Sequence, residues 1–263
     1  MLLKDKVVIV SGIGPGLGVK LAVEAAREGA RAVVAAARTS EKLDDAENRI
    51  RALGTSCRVL KLPTDITDAG QCRQAAERTV KEFGRIDGLV NSAYFHGDFG
   101  PVSEPDFATW SRILDTNLMG SVRMTLAVAP QMKKQGGGAV VMINTMTTLK
   151  PFPGEGAYAA SKSALLTATK YLAMELGPSN IRVNSARMGW MWGAPVQGYI
   201  AATARAQGVP EQQLIDGVAA NIPLRRIVTD DECARAALFL VSDYASAVSG
   251  ATLDANGGEF MAA

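Results

Sequence analysis

Histidine and cysteine are scarce, with one His and three Cys in 263 residues. Cys57, Cys72 and Cys233 are odd in number and far apart. That excludes a zinc pattern and a secretory disulfide framework and leaves reduced core thiols, with no metal site expected. No apolar run approaches the ~20 residues of a membrane span. Neither sign of charge dominates, at 28 basic against 26 acidic residues, and there is no basic arm, so neither nucleic acid nor a membrane is an expected partner. Glycine is abundant but aperiodic, which excludes a collagen-like chain. The opening Met1-Leu-Leu-Lys-Asp-Lys6 carries charge where a signal peptide needs its apolar stretch, so the expected location is cytoplasmic.

What is present is a folding chain, 48% hydrophobic and 21% charged. Short β-branched or apolar runs at 7–10, 32–37, 58–62, 88–90, 139–144, 181–184 and 252–254 read as strands. Helical patterns fall between them at 16–28, 41–53, 69–83, 105–134, 158–176, 196–220 and 230–241, with a break expected near Asn117-Leu-Met-Gly120. Strands alternating with helices of this length predict α/β architecture, a doubly wound parallel sheet of about seven strands covered on both faces. No repeat or linker-like stretch interrupts it, and a single domain spanning 1–263 is expected.

Ser11-Gly-Ile-Gly-Pro-Gly-Leu-Gly18 lies between the first strand and the first helix. A backbone that turns tightly against a pyrophosphate needs residues without Cβ, and the following helix N-terminus offers free N–H groups. Gly12, Gly16 and Gly18 give the spacing GxxxGxG, and Gly14 adds a GxGxG reading. A structural turn is the other reading of such a loop taken alone.

Tyr158-Ala-Ala-Ser-Lys162 opens the long helix, and residues four apart share a helix face. A neighbouring ammonium favours the phenolate, so a depressed tyrosine pKa is expected, giving a group that exchanges a proton with an alcohol or ketone oxygen. The helix is rich in Ala, Leu and Met nearly all round, which points to burial or a subunit interface.

Glycine loop and YxxxK together resemble the short-chain dehydrogenase/reductase family, whose loop reads TGxxxGxG, with Ser11 here in place of threonine. The resemblance covers essentially the whole chain, down to Gly250-Ala-Thr-Leu-Asp-Ala-Asn-Gly-Gly258. It implies a Rossmann-type fold with Tyr158 as general acid/base and Lys162 holding the nicotinamide ribose and lowering the tyrosine pKa. It also implies that Asn117 holds a relay water. Counting back thirteen residues from Tyr158 reaches Thr145 where the family has a serine, with Thr147 the nearby alternative. Threonine keeps the hydroxyl but adds a methyl.

By the same resemblance Gly12, Gly14, Gly16, Leu17 and Gly18 cradle the cofactor, Asp65 and Ile66 bracket adenine, and Asn91, Ala93, Gly189 and Met191 lie along it. The second strand ends in alanines followed by Arg38 and Thr39 rather than in an acid. An acid would repel a 2′-phosphate, whereas a guanidinium pairs with one, which places NADP(H) ahead of NAD(H). An ordinary surface arginine is the alternative. Tyr94 replaces a family glycine and Met188 a family proline. Tyr94, Trp190 and Trp192, with Tyr199 beyond, suggest an apolar substrate pocket or lid, or else packing of the next helix. The insertion at about 189–223 favours a bulky apolar substrate. His96 is placed on a pocket-side loop or the surface, outside the chemistry.

The sequence thus predicts an NADP(H)-dependent alcohol dehydrogenase or ketone reductase acting on a small molecule of steroid, terpenoid, aromatic or 3-oxoacyl type. The resemblance implies a homo-oligomer, tetramer or dimer. A dinucleotide-binding regulatory module with vestigial catalysis is the alternative of a different class.

Overall fold

The computed structural model describes residues 1–261. In chain order, β1 (Val7–Ser11) leads to α1 (Leu17–Arg27), β2 (Ala32–Ala37) to α2 (Ser40–Arg51), and β3 (Arg58–Pro63) to α3 (Ala69–Phe83). After β4 (Gly88–Asn91) come α4 (Phe107–Leu114), a π-helical segment (Asp115–Gly120) and α5 (Ser121–Lys134). Then β5 (Gly138–Thr145) leads to α6 (Gly156–Leu176), and β6 (Ile181–Met188) to β7 (Met191–Trp192), α7 (Ala194–Gln207) and α8 (Glu211–Ala220). Last come β8 (Val228–Thr229), α9 (Asp230–Val241) and β9 (Thr252–Ala255).

Local chemistry sets the boundaries. Asp68 caps α3 by accepting from the N–H groups of Gly70 and Gln71, and left-handed Gly84 ends it. Thr229 and Glu232 form a reciprocal capping box at the start of α9. Every position of β1 and β2 is buried, as continuous apolar runs require in a parallel sheet covered on both faces.

The sheet is parallel throughout, in the order β3-β2-β1-β4-β5-β6-β9. Residues of α1, α2 and α9, such as Leu21, Leu43 and Leu238, form one apolar layer. Residues of α3, α5 and α6, such as Ala76, Val128 and Leu165, form the other. This is the doubly wound Rossmann-type fold the alternating pattern predicts. The strand order reverses at β1, which pairs with both β2 and β4, and a crevice opens beyond the C-terminal ends of β1 and β4.

Three details depart from expectation. The sixth strand runs four residues past 184, because Ser185 to Met188 pair with both β5 and β9. The segment 196–220 is two helices, parted by left-handed Gly208 and by Pro210. Residues 191–192 pair with 228–229 as a separate two-stranded sheet that ties the segment after β6 to the start of α9. All three cysteines are free thiols. Among the described residues no helix is long and apolar enough to cross a membrane, and no metal-ligating cluster occurs.

Candidate active site

The glycine loop leaves β1 at the strand reversal. Gly12 has φ +98°, and a Cβ there would lie 2.1 Å from Ala93 N. A Cβ on Gly18 would lie 2.1 Å from Gly12 O, so the turn closes only with glycine at both places. Gly16 faces Pro195 of α7, whose Cγ would be 3.1 Å from an added Cβ, while Gly14 faces open space. The loop, with Leu17 and Gly18, lines a cavity of about 460 Å³. The N-terminus of α1 carries no side-chain cap. Missing Cβ atoms, the open face of Gly14 and an uncapped helix N-terminus fit the pyrophosphate of a dinucleotide.

Tyr158 and Lys162 project from α6 into the same cavity. Lys162 is 2% exposed, and its Nζ lies 5.9 Å from the Tyr158 ring centroid. It donates instead to the Ile143 carbonyl of β5, at 2.8 Å. Burial lowers the Lys162 pKa to about 8. Removal from water pushes the Tyr158 phenol above its ordinary value, and Tyr94 and Glu155 add in the same sense. The expected depression of the phenol by Lys162 is therefore overturned. The ammonium is engaged with a backbone oxygen, and desolvation outweighs its attraction at that distance. A protonated phenol in this setting is a proton donor.

Thr145, the last residue of β5, lines the cavity beside Thr147. Their Oγ1 atoms are 3.2 Å apart, and Thr145 Oγ1 accepts from Thr147 N at 3.3 Å, so the two hydroxyls adjoin. Asn144 fixes this strand end to α6: its Nδ2 donates to Lys162 O at 3.0 Å and its Oδ1 accepts from Thr145 N at 2.8 Å. Asn117 sits fully buried in the π-helical segment. Its Oδ1 accepts from Phe95 N (2.7 Å), and its Nδ2 donates to Phe95 O (3.0 Å) and Ser161 Oγ (2.9 Å). These bonds latch α6 to the segment after β4.

Aromatic groups build the other end of the cavity. Tyr94 meets Tyr158 edge-on, with centroids 6.1 Å apart, and His96 stacks on Tyr158 at 4.7 Å. His96 Nε2 lies 3.4 Å from Glu155 Oε1, and this carboxylate raises the imidazole pKa. Trp190 packs against Phe152 and Tyr199.

A family model described as enoyl-(acyl carrier protein) reductase matches residues 12–259. Dehydrogenase/reductase SDR family member 4 of Sus scrofa is 32% identical, covering 97% of this chain and 88% of that protein. The chain belongs to the short-chain dehydrogenase/reductase family. L-sorbose reductase from Gluconobacter frateurii, solved with NADPH and L-sorbose, superposes with a TM-score of 0.93 at 26% identity, covering 100% of this chain and 99% of that one. NAD⁺-bound xylitol dehydrogenase gives 0.88 at 29% identity, covering 98% and 100%. Membership makes the chain an oxidoreductase of a family that uses nicotinamide dinucleotides.

Against that short-chain dehydrogenase/reductase frame, the remaining expected positions divide. Gly189 and Met191 line the cavity, and Gly189 has no room for a Cβ, which would fall 2.7 Å from Asn256 Cβ. Arg38 and Thr39 follow the C-terminal end of β2 beyond the cavity walls, and Asp65 lies in the same way past β3. Asp65 Oδ1 accepts from the N–H and hydroxyl of Thr67. Ile66 turns into the core, against the space that Gly120 leaves open.

Asn91 also faces inward, donating to Ser121 O and Thr125 Oγ1 of α5. Ala93 presents its backbone to Gly12. Tyr94 and Trp190 line the cavity as expected, but Trp192 does not. Successive strand residues point to opposite faces, and Met191 takes the cavity side. His96, placed by the sequence outside the chemistry, packs on the tyrosine itself. Glu155 and Ser92 line the cavity unforeseen. Glu155 precedes Tyr158 by three residues at a helix start, a spacing that puts both on one face.

Proposed function

We propose that the chain is an NADP(H)-dependent oxidoreductase interconverting a secondary alcohol and a ketone on a bulky, mostly apolar framework. The observation that carries this reading is the convergence of Tyr158, Lys162 and Thr145 on the cavity that the glycine loop opens. The nicotinamide supplies or accepts the hydride. Tyr158 delivers a proton to the carbonyl oxygen, or withdraws it from the alcohol in reverse. The Thr145 and Thr147 hydroxyls orient that oxygen. Lys162 binds the ribose side of the cofactor, and Asn117 keeps the segment bearing Tyr94 and His96 in register with α6.

Arg38 supports the 2′-phosphate. It is exposed, follows β2 directly, and the strand ends in Ala37 rather than an acid. The structural relatives include both an NADPH and an NAD⁺ complex, so this residue carries the preference. Asp65 supports the adenine side through its place past β3. A single domain, a cytoplasmic location and a homotetramer or dimer complete the reading. Exposed Tyr171 and Met174 of α6, with Leu126 of α5, offer apolar surface to a second copy.

Titration with NADPH and NADH, followed by nicotinamide absorbance with small and bulky ketones, tests the proposal. Preference for NADPH with turnover is expected. Tighter NADH binding overturns the cofactor assignment, and cofactor binding without turnover of any ketone overturns the reaction.

A further inference from the structure

β4 stops at Asn91, the partner of Met142, while β5 runs on to Thr145. In a parallel ladder alternate residues bond to alternate neighbours. Ala139 N donates to Asp87 O, so the odd-numbered residues of β5 face β4. The Ile143 carbonyl and the Thr145 N–H therefore lie on the edge that β4 has already left. Main-chain groups shielded from water at such an edge need another partner.

Two side chains take the place of the missing strand. Lys162 Nζ donates to Ile143 O at 2.8 Å, and Asn144 Oδ1 accepts from Thr145 N at 2.8 Å. Val140 and Met142 pack in the layer that holds Leu165 of α6, and Asn144 continues that face of the strand. It is 2% exposed, and its Nδ2 donates to Lys162 O at 3.0 Å. Lys162 is thus tied to β5 at both ends, by its ammonium to Ile143 and by its carbonyl to Asn144. A side-chain amide is donor and acceptor in one short group, which lets a single residue bridge a helix carbonyl and a strand N–H. The bridge runs from Lys162, one helical turn past Tyr158, to Thr145, whose hydroxyl adjoins that of Thr147 in the cavity wall.

We propose that Asn144 is a positioning residue that fixes the Thr145 hydroxyl relative to Tyr158, and with it the place where a substrate carbonyl oxygen is held between the two. This rests on the carbonyl reading above and deepens it. Both amide atoms of Asn144 are engaged within the protein, so it acts through Thr145. A misplacement of about 1 Å at such a site costs about 10²-fold in rate. β5 ends free of β4 at this point, and the amide sets how far its last residue stands from α6.

A double-mutant cycle tests this. Asn144→Leu removes both hydrogen bonds at similar size, Thr145→Val removes the hydroxyl, and the two are made singly and together. With NADPH or NADH, kcat and KM are read for whichever of acetophenone, 2-tetralone and cyclohexanone turns over fastest. Asn144→Leu is expected to lower kcat about 10- to 100-fold, with KM and the cofactor dissociation constant changed less than about threefold. In the Thr145→Val background the same change is expected to cost less than about threefold, because the group it positions is gone. General damage to the fold would multiply through in both backgrounds. Asn144→Ser, whose single hydroxyl does not span both partners, serves should the leucine variant not fold, and is expected to show the same coupling.

Equal losses in the two backgrounds, or an Asn144→Leu protein as active as the wild type, overturn the proposal. Calorimetric titration of the four proteins with the same ketones, in the presence of NADP⁺ or NAD⁺, separates it from the reaction. Coupling between positions 144 and 145 in ketone affinity, without turnover, overturns the reaction and leaves the positioning role standing. Turnover with independent effects does the reverse. Neither binding nor turnover of any of the ketones overturns both.

Discussion

Lys162 donates a 2.8 Å hydrogen bond from Nζ to the main-chain oxygen of Ile143, joining α6 to β5 beneath Tyr158. It holds a charge that burial disfavours, with its pKa brought from 10.5 to about 8. Between those values the unfolded chain keeps a proton that the folded chain has released, so stability rises with pH across that window. The cost of burying the charge is present in full below about 8. Relative to Lys162→Met, which does not titrate, the wild type is expected to gain about 3 kcal/mol between pH 7.5 and 10.5. Urea unfolding of both proteins at the two pH values checks this, and a constant difference would refute it.

Tyr158→Phe removes the proton donor while leaving the glycine cradle and Arg38 intact. Turnover is expected to fall about 10³-fold, with the cofactor dissociation constant changed less than about threefold. Stopped-flow reduction and fluorescence titration read the two quantities. A variant retaining a tenth of the activity would move the proton chemistry elsewhere in the cavity.

The sole histidine gives a single imidazole signal to follow by NMR. Glu155 raises its pKa above the usual 6.5. The stability from the pair is fully present below the unfolded value and is lost as pH rises through the raised folded one. The titration midpoint is expected above 6.5 and is expected to return toward it in Glu155→Gln. An equal midpoint in both proteins would mean that the carboxylate is not the cause.

The four loop glycines are not equivalent. A methyl on Gly18 would meet Gly12 O, a backbone atom that cannot swing aside, whereas one on Gly14 meets nothing within 4 Å. Gly18→Ala is expected to cost about 3 kcal/mol or more, and Gly14→Ala to stay within about 0.5 kcal/mol of wild type. Thermal unfolding without cofactor gives both values, and equal losses would contradict the described turn.

Arg38→Asp replaces a guanidinium with a carboxylate where a 2′-phosphate would lie. The ratio of NADPH to NADH affinity is expected to fall by at least about 10-fold, the scale of one charge-assisted hydrogen bond. Binding titrations of both cofactors decide it, and an unchanged ratio would leave Arg38 an ordinary surface residue.

Much of the site was legible because its signals are local or metrical. Tyr158 and Lys162 are four apart on one helix, and Gly12 and Gly18 mark the turn after a buried strand. Thr145 follows from counting back along the chain, and the structure places it at the end of β5. What was not legible depends on contacts between distant segments. His96 and Glu155 are 59 residues apart, and nothing in either neighbourhood announces the other. The absence of Trp192 from the cavity wall follows from the pairing of residues 191–192 with 228–229, a two-residue ladder too short to leave a periodic trace. The raised Tyr158 phenol was misjudged because proximity in sequence shows the ammonium, but not its commitment to Ile143.

Pro195, the second residue of α7, stands where a side chain on Gly16 would have been, so the helix that follows the aromatic wall rests on the glycine loop. The two regions proposed to bind substrate and dinucleotide share that contact as a party wall. On the proposed function, a substitution at 193–196 that widens the cavity for a larger ketone would also disturb the loop proposed to hold the dinucleotide, so selection for one property would drag the other with it. On that reading the 189–223 segment is a pleiotropic element, and its tuning is bounded by a glycine more than 170 residues upstream.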